Sequence, residues 1–161
     1  GLTSGVIPRG AVMARKHIHD TIVGSQADPK VIELFHGYTY SANPMACAAA
    51  LATLETYREE SLFERAAELA PYWEEQLHTL RSAPNVIDIR NLGLMGAIEM
   101  SPYPGKPGHR AYDAMCKAFS DFDIMIRITA DTIALSPPLI VSKAQIDEIM
   151  DKTRGAIAAV A

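Results

Sequence analysis

Val86-Ile-Asp-Ile-Arg-Asn-Leu-Gly-Leu-Met-Gly-Ala-Ile-Glu-Met100 decides the fold. From Val86 to Arg90 apolar and polar residues alternate, the period of a strand with one buried face. The alternation returns from Leu94 to Met100, once Asn91-Leu-Gly93 has supplied a turn, so the two runs are expected to pair as a hairpin. Downstream, Ser101 to Gly108 carries three prolines and two glycines and is a loop. Arg110 to Phe122 has the spacing of an amphipathic helix, with Tyr112, Met115 and Phe119 expected to face inward. Ile124 to Ile128 and Thr132 to Leu135 read as strands, the second stopped by Pro137-Pro138. Ser142-Lys-Ala-Gln145 is a capping-box pattern that opens a terminal helix from Lys143 to about Val160. Strand-strand-helix-strand-strand-helix is the signature of a compact α+β unit.

Upstream of the hairpin the pattern is helical. Ser61-Leu-Phe-Glu64 is a second capping-box pattern, predicting a helix from Leu62 to about Arg81. Its expected buried side is Phe63, Ala66, Ala67, Ala70, Trp73, Leu77 and Leu80, and Pro71 should kink or break it. Before it, Asn43-Pro44 supplies a cap and a first-turn proline for an Ala-rich helix from Met45 to Glu59. Gly1 to Gly10 is loop-like, Ala11 to Ala14 reads as a short buried strand, and Lys16 to Ile22 as a helix. Gly24 to Lys30 is a turn or loop, and Val31 to Phe35 is apolar apart from Glu33.

Bulk composition narrows the function classes. The 161 residues are 48% hydrophobic and 21% charged, with a net charge of −4, which offers no general attraction to nucleic acid or an anionic membrane. No apolar run approaches the roughly 18 residues of a bilayer span. The opening Gly-Leu-Thr-Ser-Gly reads as the interior of a longer chain and has no signal-peptide organisation. Cys47 and Cys116 have no metal-type spacing. They are expected as small buried hydrophobes, in keeping with a cytoplasmic protein, and no metal is expected. His17 and His19 look exposed and His36 structural. Gly93 and Gly96 suggest a tight turn and close packing rather than a phosphate cradle.

Three stretches, in order and in register, resemble the class III aminotransferases, most closely the omega-amino acid:pyruvate (beta-alanine:pyruvate) branch. They are Gly1-Leu-Thr-Ser-Gly5 with Pro8-Arg-Gly-Ala11; His36-Gly-Tyr-Thr-Tyr-Ser-Ala-Asn-Pro44 with the helix behind it; and Ile126-Arg-Ile-Thr-Ala-Asp-Thr-Ile-Ala-Leu-Ser-Pro-Pro138. The resemblance implies an α/β enzyme of fold-type I that depends on pyridoxal 5'-phosphate. Residues 1–55 would be the end of its cofactor-binding large domain and residues 56–161 its small α+β domain. It implies amino transfer from an omega-amino acid or amine to pyruvate, in a homodimer or higher homo-oligomer. It further implies that the lysine forming the Schiff base with the cofactor lies just before Gly1. On that reading Lys16, Lys30, Lys106, Lys117, Lys143 and Lys152 are surface residues, and the 161 residues alone are inactive. An ornithine-type aminotransferase, an aminomutase and a non-catalytic association module are the alternatives.

Two residues carry the implied site. By resemblance, Thr39 reaches the cofactor phosphate of the other subunit; from the residues alone it is one polar residue of a turn before a capped helix. Arg127 is the one charge within Ile124 to Ile128. An arginine grips a carboxylate through two parallel hydrogen bonds, as amino-acid recognition requires, and the family places a substrate arginine here. The alternative is an edge-strand arginine paired with Asp131 or Asp123. Asp123 and Ala130 stand where relatives commonly carry glycine.

Overall fold

The computed structural model of the chain describes residues 2–25, 30 and 37–161. Val31 to Phe35 and His36 lie outside the described residues. The chain divides into two compact units, Gly1–Glu60 and Ser61–Ala161.

The first unit holds α1 (Lys16–Gly24) and α2 (Pro44–Glu59). Asn43 caps α2 as its sequence predicts: the Ala46 N–H donates to its Oδ1 at 3.2 Å, and Pro44 takes the first turn, where no N–H is needed. The expected strand at Ala11–Ala14 does not form. That segment has no regular structure, with Val12 97% and Met13 96% exposed, and no strand among the described residues pairs with it.

The second unit is α3 (Leu62–His78), a 3₁₀ turn (Thr79–Ser82), β1 (Val86–Leu92), β2 (Met95–Met100), α4 (His109–Phe122), β3 (Arg127–Thr129), β4 (Thr132–Leu135) and α5 (Lys143–Ala158). The strands form one antiparallel sheet in the order β1-β2-β4-β3, so the predicted α+β unit and its hairpin stand. Register sorts the side chains. Ile89, Ile98, Ile133 and Ile128 form one row across all four strands, on the face that joins Trp73, Leu77, Ile146, Met150 and Ile157 in the core. Burying Ile98 or Ile133 fully is worth about 1.5–3 kcal/mol each. The next row, Arg90, Ala97, Ala134 and Arg127, lies on the opposite face because successive strand residues alternate.

Several local expectations are corrected. Ser61 stands at the N-cap of α3 but its side chain makes no capping bond: its φ is +48°, whereas a capping side chain favours an extended backbone. Counting back from Trp73 in helical steps gives Leu69, Ala66 and Leu62 on the inner side of α3; Phe63 and Ala67 are exposed. Pro71 does not break the helix. Both Pro71 and Ala67, whose carbonyl loses its donor, are exposed, so water can satisfy that carbonyl. On α4 the buried side is Arg110, Ala111, Ala114 and Ala118, with Met115 partly buried, while Tyr112 and Phe119 face out. A face of alanines lets α4 approach its neighbours closely. Cys47 is half-buried and Cys116 exposed, so neither is the buried hydrophobe expected. The Ile124–Ile128 strand shrinks to Arg127–Thr129, and a bulge at Ile87 interrupts β1.

The capping box of α5 forms in full: the Gln145 N–H donates to Ser142 Oγ at 3.3 Å, and the Ser142 N–H to Gln145 Oε1 at 2.9 Å. Gly96 also behaves as read, since a Cβ there would lie 2.8 Å from a Leu77 methyl. Gly155 is tighter still. A Cβ on it would meet three atoms of the Phe122 ring at 2.3–2.9 Å. Gly155→Ala should therefore destabilise the chain by about 1–2 kcal/mol, overpacking outweighing the roughly 1 kcal/mol gain in helix propensity. A rise in the urea midpoint would show that the ring moves aside freely.

Candidate functional site

In the first unit, residues 7–12 and 38–46 enclose an open cleft of about 800 Å³, with Arg9, Tyr38, Tyr40 and Asn43 in its lining. Arg9 Nη1 donates to the Ala46 carbonyl at 2.8 Å, tying the 7–12 segment to the start of α2. The turn before α2 builds itself from short-range bonds. The Ser41 N–H donates to the Tyr38 carbonyl at 2.9 Å, the Tyr38 N–H to Ser41 Oγ at 3.2 Å, and the Asn43 N–H to the Tyr40 carbonyl at 3.2 Å. Ala42 takes φ +57° to close it. Thr39 sits in this turn, exposed, and does not itself line the cleft. Its hydroxyl makes no hydrogen bond to any described residue, which leaves it available to an incoming acceptor.

Arg127 lies in the second unit, at the start of the edge strand β3, exposed, opposite Ala134. Among the described residues it has no ion pair and no side-chain hydrogen bond. Neither acid offered as a structural partner pairs with it. Asp131 Oδ2 accepts from the Gly108 N–H at 2.5 Å, and Asp123 ends α4 at φ +52°. Arg90, at the other end of the same row, differs in this respect. It bonds Asp88 and Glu99, each at 2.8 Å, and the hydrogen bond to Glu99, then that to Asp88, holds its guanidinium more firmly protonated. Of the two arginines on this face, one is neutralised and one is open. Asp123 and Ala130, where the resemblance leads to an expectation of glycine, both have a left-handed backbone, at φ +52° and +49°.

Lys16, Lys117 and Lys152 are paired with Asp20, Asp121 and Glu148, and Lys143 lies over the Tyr72 ring. Lys117 is pushed up, chiefly by its bond to Asp121, the opposite of what a nucleophilic amine requires. The described residues contain no cluster of His, Cys, Asp or Glu able to hold a metal ion, and no helix long and apolar enough to cross a membrane. His17 and His19 are exposed. Sequence reasoning missed Arg110, a buried guanidinium whose hydrogen bonds go to main-chain carbonyls. It also treated Asp131 as nothing more than a possible ion-pair partner.

The sequence pattern of the family described as "Aminotransferase class-III" matches residues 1–157. The chain belongs to the class-III aminotransferase family. Its relatives include an omega-aminotransferase of Caulobacter vibrioides, 52% identical over 96% of this chain, and a beta-alanine–pyruvate aminotransferase of Pseudomonas aeruginosa, 39% identical over 99%. The solved structure of an (S)-enantioselective omega-transaminase from Thermomicrobium roseum superposes on 99% of this class-III aminotransferase chain with a TM-score of 0.85 and 30% identity. The chain spans about a third of the length of these relatives: 34%, 36% and 36% respectively. Class-III aminotransferases are dependent on pyridoxal phosphate, and the exposed, unbonded hydroxyl of Thr39 fits a donor to a phosphate.

Proposed function

We propose that this chain is the C-terminal part of an aminotransferase that passes an amino group from an omega-amino acid or amine to pyruvate. The observation that carries the reading is the open guanidinium of Arg127 on an edge strand, the arginine at the far end of its row being already neutralised. Such a group suits a carboxylate that arrives with substrate, and every amino-acid donor and the pyruvate acceptor bring one. The relatives named above bear on the choice of acceptor, since one of them is a beta-alanine–pyruvate enzyme. Thr39 would donate to the phosphate of pyridoxal phosphate held by a partner subunit, which makes the working form a homodimer or larger. When bound, pyridoxal phosphate supplies the electron sink that lets the amino group leave its donor. In this reading residues 1–55 close the large domain, residues 56–161 are the small domain, and the enzyme works in the cytoplasm. The lysine that anchors the cofactor is none of the six present here.

One experiment tests these assignments together. Given beta-alanine and pyruvate, the aminotransferase carrying this chain should form alanine, and a dicarboxylic keto acid should serve poorly in place of pyruvate. The 161 residues alone, incubated with pyridoxal phosphate and desalted, should retain no visible cofactor absorbance. Preference for the dicarboxylic acceptor would replace the pyruvate reading with an ornithine-type one. Coloured, active material from the 161 residues alone would refute the account of the lysine.

A further inference from the structure

We infer that Asp131 is the positioning residue for Arg127, an inference that rests on the carboxylate-binding role proposed above. β3 and β4 are joined by the two-residue turn Ala130-Asp131, which closes the Thr129–Thr132 pair. Ala130 holds φ +49°, a conformation that an L side chain resists, so something outside the hairpin must pin the turn. Asp131 does so from both its ends. Its carboxylate Oδ2 accepts from the Gly108 N–H at the start of α4, at 2.5 Å, and its carbonyl accepts from the Met100 N–H at the end of β2, at 2.9 Å.

The fit around these bonds is close. A Cβ on Gly108 would lie 3.8 Å from the Ala130 Cα, so the turn rests almost directly on the helix start. Gly108 offers no side-chain cap, and an acid at that end is favoured by the helix dipole. The second carboxylate oxygen, Oδ1, is buried with no hydrogen-bond partner among the described residues.

Arg127 is four residues before Asp131, at the start of the edge strand that leads into the turn, and has no side-chain partner among the described residues. Its guanidinium is therefore placed by the backbone of β3, which is bonded on one side, to β4, and at the turn. Asp131 touches neither the guanidinium nor its expected ligand; it acts through the hairpin. The strain at Ala130 makes the clamp necessary, and glycine there would make it dispensable.

The test uses the aminotransferase carrying this chain, with one donor bearing a carboxylate and one amine lacking it. Asp131→Ala should raise KM for the carboxylate donor about ten-fold, with kcat and the KM of the plain amine little changed. Asp131→Asn, which keeps the acceptor oxygen, should show a smaller rise and carries the test if Asp131→Ala does not fold. Adding Ala130→Gly to Asp131→Ala should recover most of the lost affinity, because glycine adopts the turn without the clamp. Equal KM changes for both donors, or no recovery on adding glycine, overturns the inference. Hydrogen exchange over residues 127–132 gives a readout independent of substrate and should speed up in Asp131→Ala; unchanged protection there rules out the clamp. Should Arg127→Ala itself fail to separate the two donors while exchange still speeds up, the carboxylate reading of Arg127 falls and the clamp stands.

Discussion

Arg127→Ala in the aminotransferase carrying this chain should raise KM about 10- to 100-fold for donors with a carboxylate and leave amines without one near their original value. The estimate follows from what is removed. A charge-assisted hydrogen bond contributes about 1.5–3 kcal/mol, and each 1.4 kcal/mol is a factor of ten. The guanidinium is exposed and unpaired in the unliganded chain, so its removal leaves no acid stranded on the protein and the loss appears in substrate binding. Arg127→Lys retains the charge without the planar fork and should fall between the two. The split between donors is the diagnostic: a loss of kcat shared by both would mean that Arg127 supports the strand and not the substrate. Pyruvate, which also carries a carboxylate, should lose affinity in parallel with the amino-acid donor.

The contrast between Arg127 and Arg90 shows where sequence reading reaches and where it stops. An arginine inside an apolar strand stretch is visible in the sequence, but whether an acid neutralises it depends on register. Arg90, flanked in sequence by Ile89 and Asn91, meets Glu99 because β1 pairs with β2 and places Ala97 opposite it. Arg127 faces Ala134 and meets no acid. Asp131 lies four residues from Arg127, yet its carboxylate is taken by Gly108, 23 residues upstream, and no local rule foretells that bond.

Elements governed by neighbours in sequence were legible. The Ser142–Gln145 capping box and the Asn43 cap form as their residues predict, since each depends on contacts within a few positions. The inner side of α4 was not legible. Tyr112 and Phe119 carry more apolar area than Ala111, Ala114 and Ala118, and hydrophobic size alone points them inward. Closeness of packing on α4 favours the small side chains, and closeness is a property of the partner surface. For the candidate site, Thr39 and Arg127 are named by resemblance, whereas no local signal points to the bond between Gly108 and Asp131.

Arg110 is the sharpest case of a residue with no local signal, and its removal should cost the chain about 3 kcal/mol of stability. Its side chain is buried, Nε donates to the Ser101 carbonyl at 2.8 Å, Nη1 donates to the Val160 carbonyl, and the guanidinium lies 4.2 Å from the centre of the Tyr103 ring. Val160 lies just past the C-terminal end of α5, where a cation is favoured by the helix dipole. Arg110→Ala deprives two carbonyls of their donor, at about 1–3 kcal/mol for each that stays dry, and forfeits roughly 1 kcal/mol of cation–π attraction. Partial wetting of the Ser101 carbonyl, in a half-buried loop, keeps the sum near the lower end of that range. Urea unfolding of the chain should show a lower midpoint at unchanged slope, because the surface exposed on unfolding does not change. Arg110→Lys keeps a charge that can reach one carbonyl but not both, and should recover about half of the loss. A cost below about 1 kcal/mol for Arg110→Ala would mean that water replaces the guanidinium at both carbonyls. Hydrogen exchange over residues 157–161 separates the two cases, since only a lost donor at Val160 loosens the end of α5 and speeds exchange there.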